Sequence, residues 1–294
     1  MSGAADENWY EVVSESPGPE LTDSVMRERV VESGLPWRVR DRVTGIEMVL
    51  VLPGELLMGS PLTEQGRDTD EGPRHRVKLT RAFYLGVTEV TDAQWQQLMG
   101  ESIGFFPGDD MPASTSWQDV ERFLVMANEG LPPDVEPLRA PTEAEWEYAC
   151  RAGTTGRFSF GDEASHDLVN FNDGDPKRTI AVDGDHVFEW NRPPSPEARL
   201  KAAPPGSLPP NPWGLHEMHG NVMEWTADAY RPDAYEGRGE LTVDPLVPAA
   251  PGEAHVIRGG DWHRAVRHCR SAARESAGPR GGSSRMGCRV ARSI

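Results

Sequence analysis

The sequence has little cysteine, little lysine and no long apolar run. Its 294 residues hold three cysteines, Cys150, Cys269 and Cys288, an odd number at wide spacing. No CxxC or other zinc pattern links them, and a chain of this length buries a core without disulfide staples. No run of about 18 apolar residues occurs, so no membrane-spanning helix is expected. Lysine is confined to Lys78, Lys177 and Lys201, which leaves arginine to carry nearly all the positive charge. Positive charge as a whole is short: 30 Lys and Arg face 47 Asp and Glu, a net charge of −17. That field repels a polyanion and speaks against nucleic acid as a partner. The first residues, MSGAADENWYEVVSESPGPE, are acidic and lack an apolar core segment. A secretory signal is therefore not expected, and the cytoplasm is the default compartment.

What is abundant is glycine, 30 residues, and proline, 26. Together they predict long loops and little helix. Residues 1–35 read as an acidic extension with a short helix near Asp23–Ser33, and residues 36–294 as one domain. Ile46–Leu52, Glu55–Gly59, His75–Leu79 and Ala82–Leu85 read as strands, as do Ala254–Arg258 and Arg285–Ala291. Three helices start on caps. Thr91 precedes Gln94 by three residues, a capping box. Ser116 opens a run in which Val120, Phe123, Leu124 and Ala127 form an apolar stripe at helical spacing. Thr142 opens TEAEWEYACR with Glu145 at the third helical position. Residues 172–212 are rich in Pro, Gly and Asp without periodicity, and read as one long irregular segment. The balance is a loop-rich α+β domain with short strands and few helices.

Several motifs then accumulate in order: MVLVLPGELLMGS (48–60), DEGPRHRV (70–77), FYLGVTEVTDAQW (83–95), SWQDVERF (116–123) and RAPTEAEWEYACRAGT (139–154). NPWGLHEMHGNVMEWTAD (211–228), VIRGGDW (256–262), CRSAAR (269–274) and MGCRVAR (286–292) complete the set. Together they resemble the formylglycine-generating enzyme family, the sulfatase-modifying factors, over roughly residues 36–294. The resemblance implies a C-type-lectin-like fold. It also implies several activities, because fold does not fix function. Founding members oxidise a substrate cysteine through a copper(I)-binding cysteine pair. Other relatives are halves of sulfoxide synthases, pyoverdine-maturation proteins, or ligand binders diversified by retroelements.

The resemblance places the cysteine pair shortly after the Arg-Gly-Gly-aromatic motif, with four residues between the thiols. Counting forward from Gly259 and Gly260 puts Arg264 and Cys269 at those positions. Counting back from the closing arginine motif puts the second near Val266. The pair is broken either way, and copper(I), which is soft, has no ready substitute for two thiolates. Copper is thus not expected. His263, His268 and Cys269 form an H-x4-H-C cluster that reads either as a metal-binding loop or as a solvated arginine-rich one.

For calcium the resemblance implies two sites. The first would use Glu217, the Gly220 and Val222 carbonyls, and Glu224, in a loop that Gly220 lets curl; calcium takes such mixed oxygen sets. Glu217 stands where relatives usually carry Asn. Glu224 could equally be an ion-pair partner in the core. The second site would use Asn170, Phe171, Asp183 and the Asp185 carbonyl, near an insertion at 186–200. The ligand-facing stretch implied by the resemblance, 259–288, is rich in Arg and His, and Trp262, His263, Arg264, Arg267, His268 and Arg285 are its candidate contacts. Arginine forks there suit an anion or an acidic peptide. The expected function is a calcium-stabilised binding or accessory domain with no oxidase centre, a retroelement-diversified binder being a special case. A divergent metal-dependent oxidoreductase is the alternative. The partner expected is a protein, a peptide or a small anionic ligand, with neither nucleic acid nor membrane involved.

Overall fold

Strand-forming and cap-forming residues sort the chain into short elements. The computed structural model describes residues 9–182 and 185–294, with backbone alone for 175–182 and 185–191. β1 (Tyr10–Ser14) and α1 (Ser24–Ser33) precede β2 (Arg38–Asp41), β3 (Glu47–Val51) and β4 (Gly54–Met58). β5 (His75–Leu79) and β6 (Phe83–Gly86) lead to α2 (Asp92–Met99), α3 (Trp117–Ala127) and α4 (Glu143–Arg151). The remainder carries β7 (Asp175–Val182), β8 (Asp185–Arg192), β9 (Met223–Ala229), β10 (Thr242–Val243) and β11 (His255–Arg258). β12 (Glu275–Ala277), β13 (Met286–Gly287) and β14 (Ala291–Ser293) follow.

The strands form a five-stranded sheet ordered β1-β2-β3-β6-β14 and a four-stranded sheet ordered β12-β11-β9-β13. A three-stranded sheet, β10-β5-β4, and the β7-β8 hairpin complete the set. β14 pairs antiparallel with β6, and β13 pairs parallel with β9, so the last residues join two different sheets. The strand expected over Arg285–Ala291 is therefore two shorter ones. Neither spans the Cys288–Val290 stretch between them.

The three expected caps hold as drawn. Thr91 with Gln94, Ser116 with Asp119 and Thr142 with Glu145 each close a reciprocal capping box. Each is worth about 1 kcal/mol to its helix. In α3 the stripe Val120, Phe123 and Ala127 is buried, and Phe123 stacks on Trp95 of α2 with centroids 5.1 Å apart. α4 is buried almost throughout, charged residues included. Among the described residues no helix is long and apolar enough to cross a membrane.

The extension packs on the domain: β1 pairs with β2, and Met26 and Val30 of α1 lie in the main core. A further sequence expectation differs from the structure. Residues 172–212 are not irregular throughout, because β7 and β8 pair antiparallel within them. An Asp-Gly dipeptide stands between these strands in the sequence, a hairpin signal that the surrounding Pro, Gly and Asp masked.

Candidate functional site

The loop that feeds β9 is curled by three left-handed positions: Glu217 (φ 50°), Gly220 (φ 80°) and Asn221 (φ 64°). At Gly220 a Cβ would stand 2.3 Å from the Asn170 carbonyl oxygen, so only glycine fits. The curl turns Asn221 inward, where its amide ties four segments together. Its Oδ1 accepts from Asn170 Nδ2 (3.0 Å) and the Ala203 N–H (2.8 Å). Its Nδ2 donates to Glu89 Oε1 and the Ala203 carbonyl, both at 3.1 Å.

Three carboxylates gather at this loop. Glu217 accepts the backbone N–H groups of Gly206 (2.7 Å) and Leu208 (3.0 Å). Glu224, on β9, accepts the Arg289 guanidinium through Nε (3.0 Å) and Nη2 (2.7 Å), and Trp146 Nε1 at 2.7 Å. Glu89 sits in the connection from β6 to α2, is fully buried, and leaves its Oε2 without a partner. Burial, then the charges of Glu217 and Glu224, push the Glu89 carboxyl well above the usual carboxylate range, against Arg289 and Asn221. Burial also raises Glu217. Three acids thus share one guanidinium.

His219 anchors the same loop from its other side. Its Nε2 accepts the Ser159 N–H (3.1 Å), so the proton is on Nδ1, which donates to the Cys269 carbonyl (2.7 Å). Burial lowers its pKa to about 4, so the ring is neutral near pH 7. All three thiols are free and buried. Cys150 lies against the Met218 carbonyl (3.5 Å) and His219. Cys269 lies so close to Gly260 that a Cβ there would stand 2.7 Å from its sulfur. Burial pushes Cys150 and Cys288 up to about 12 and Cys269 up as well. Cys269 is thus a core residue and not part of a solvated loop.

The arginines of 259–288 are mostly spoken for. Arg270 is buried and forks onto Glu71 (2.5 and 2.8 Å) with Glu64 beside it (2.5 Å). Arg274 is buried on Glu143 (2.6 Å). Arg264 and His268 both reach Glu275, and Arg285 lies within electrostatic reach of Asp261. Arg267, half exposed, stands 4.0 Å from Asp68. Trp262 is 1% exposed and donates from Nε1 to the Ser284 carbonyl (3.2 Å), so its face is not open for stacking on a ligand. His263 is half-buried, its N–H held by Asp261 Oδ1 at 2.8 Å. The free positive patch read from the sequence is therefore largely neutralised by acids from elsewhere in the chain.

Glu275 gives this region a pH signature. Burial raises its pKa, but His268 and Arg264 outweigh burial and hold it at about 2, below the ordinary 4.5. A carboxyl depressed in the folded state adds stability above pH 4.5 and loses it as the pH falls toward 2. The side chain is 24% exposed, so solvent screening reduces the effect to about 1–2 kcal/mol. Glu275→Gln should lower stability by that amount at pH 7. The gap to the wild type should close near pH 2, as read by urea denaturation at each pH.

The sequence profile described as the sulfatase-modifying factor enzyme 1-like domain matches residues 38–294. The chain belongs to the formylglycine-generating enzyme family. It is 33% identical to a Streptomyces coelicolor protein named formylglycine-generating enzyme, over 81% of this chain and 86% of that one. It is also 33% identical to a Chlamydia pneumoniae protein named serine/threonine-protein kinase pkn1, over 84% of this chain but 38% of the kinase. Among solved structures it resembles PvdO from Pseudomonas aeruginosa, with a TM-score of 0.69 and 27% identity, covering 87% of this chain and 98% of PvdO. The fold is the loop-rich, C-type-lectin-like α+β fold of this family, as the sequence implied.

Within the family frame, the structure brings Glu217, Gly220, Val222 and Glu224 into one loop and strand start, with Glu224 engaged by Arg289 and Trp146. Asn170 lies beside them: its carbonyl accepts the Asn221 N–H (2.9 Å), and its buried Oδ1 has no partner. Phe171 is buried and stacked on His166, centroids 4.3 Å apart. Asp183 lies outside the described residues, as does the side chain of Asp185. Sequence reasoning missed Glu89, Asn221, His219 and Arg289. The one signal for Glu89 was a lone acid between Val87 and Val90, in a segment otherwise apolar or hydroxylated.

Proposed function

We propose that this chain is a calcium-stabilised binding or accessory domain of the formylglycine-generating enzyme family that does not oxidise cysteine. The observation that carries this reading is the state of the thiols. Each is buried, none is in a disulfide, and burial raises all three pKa values. Copper(I) needs accessible thiolates. Arg264, at one of the implied cysteine positions, is held by Glu275 and Asp261. The calcium part of the reading is supported by oxygens that lack partners in buried places, Glu89 Oε2 and Asn170 Oδ1. They suit a hard cation; calcium would add charge neutralisation at a loop whose acids outnumber its one guanidinium.

The partner we favour is a protein or peptide. A small anion would have to displace Glu275, Glu71 or Glu143 from the guanidinium groups they already hold. The test is direct. The purified protein, supplied with copper(I) and a CxPxR peptide, should give no more formylglycine than the copper-free control, measured by mass spectrometry. Turnover above that control overturns the reading.

A further inference from the structure

The start of α3 and the 249–255 segment that enters β11 enclose a cavity of about 390 Å³. Trp117, Ala249 and Pro279 give it apolar walls, His255 lines it, and two carboxylates, Glu121 and Glu253, stand at it. Among the described residues no Lys or Arg does so. The cavity shares no residue with the loop before β9, so its occupancy does not depend on an ion there.

His255 is 5% exposed, and its ring lies against Trp117 with centroids 3.8 Å apart. Its Nδ1 donates to the Thr226 carbonyl (3.2 Å), which leaves the lone pair on Nε2. Among the described residues Nε2 has no hydrogen-bond partner. Burial holds the ring below its ordinary pKa of 6.5, against the Thr226 carbonyl and the charges of Glu121 and Glu253, so it is neutral and an acceptor near pH 7. The two acids differ. Glu253 is engaged by Arg231, 2.8 Å to each oxygen, and by the Ala250 N–H at 2.9 Å. Glu121 is exposed and makes no ion pair among the described residues.

We infer that this cavity receives a basic side chain, arginine before lysine, from a partner polypeptide. Glu121 takes its charge, and His255 Nε2 accepts one of its N–H groups. The sign of the ligand follows from the lining: two acids and no cation, on a chain of net charge −17. A helix N-terminus favours an anion, but that of α3 is already closed by Ser116 and the Asp119 carboxylate. The need for a donor follows from His255, because an acceptor on a buried ring is costly to leave unused beside apolar walls. Guanidinium is preferred for its shape and hydration. It is planar and weakly hydrated, suits aromatic and proline walls, and can serve two acceptors at once. The volume lies within the range of about 300–1,000 Å³ typical of ligand cavities. Gln118, Glu121 and Pro251 at the rim are exposed, so a side chain can enter while its main chain stays outside. The choice of a polypeptide as carrier rests on the partner reading above.

The experiment follows the Trp117 indole N–H by heteronuclear NMR, the signal being the one missing from Trp117→Phe. N-acetyl-argininamide should shift it saturably. The citrulline analogue, equal in shape but uncharged, should bind about tenfold more weakly or worse. Glu121→Gln, a change at an exposed position, should lose about tenfold in affinity for the arginine probe. A peptide with one arginine between alanines should bind at least as tightly as N-acetyl-argininamide. No saturable shift at Trp117, or arginine and citrulline probes within about threefold of each other, overturns the inference. Unchanged affinity in Glu121→Gln overturns the role given to that acid. Binding of the arginine derivative but not of the peptide overturns the polypeptide carrier and leaves a site for a small basic molecule. Formylglycine formation in the copper assay would leave each of these outcomes standing.

Discussion

Replacing Arg289 with methionine should cost about 3–5 kcal/mol of unfolding free energy, measured in chelator by urea denaturation. Arg289 is fully buried and serves three masters at once. It forks onto Glu224, donates from Nη1 to the Gly86 carbonyl (2.8 Å), and from Nη2 to the His216 carbonyl (2.7 Å). Methionine fills much of the volume and supplies none of the charge. Glu89, Glu217 and Glu224 would then face one another without a cation, and two carbonyls would lose their donor. Adding Glu224→Gln to the Arg289→Met background should recover part of the loss, because the pair is coupled. Two independent, additive losses would contradict this account.

The second large effect is expected at Glu147. This α4 carboxylate is fully buried, accepts the Gly59 N–H and Arg151 Nε at 2.9 Å, and pairs with Arg258. Its neighbour Glu143 holds Arg274 and accepts the Tyr235 hydroxyl (3.1 Å). The guanidinium group stays protonated even when buried, so neither Arg258 nor Arg274 becomes neutral when a partner is lost. Glu147→Ala therefore strands positive charge in the core and should lower stability by about 3–5 kcal/mol, read as a drop in the urea midpoint. A loss below about 1 kcal/mol would mean that water replaces the carboxylate, contrary to the packing seen here.

What the sequence made legible was what neighbours in sequence decide. Thr91, Ser116 and Thr142 each find their capping partner three residues on, so the helix starts could be read directly. The α3 stripe is likewise local. The arginines were misread because their partners are remote: Arg270 meets Glu71 across 199 positions and Glu64 across 206. A basic run in the sequence thus became a set of internal ion pairs. Glu89 gave only a faint signal for the same reason, since the residue that aims it, Asn221, lies 132 positions away. Trp262, a candidate ligand contact by sequence, packs with Met111, Ala202 and Val222 in a small core of its own. The β7-β8 hairpin is a different kind of miss. Its signal was local, and composition hid it.

The late position of the compensating arginines has a consequence for biosynthesis. Arg292 pairs with Asp41 across 251 positions, and Arg289 reaches Gly86 across 203. While the ribosome has yet to release these cations, the acids laid down earlier cannot be sealed inside, and the nascent polypeptide stays open and strongly anionic. Closure of this domain accordingly waits for Arg289 and Arg292 to be made.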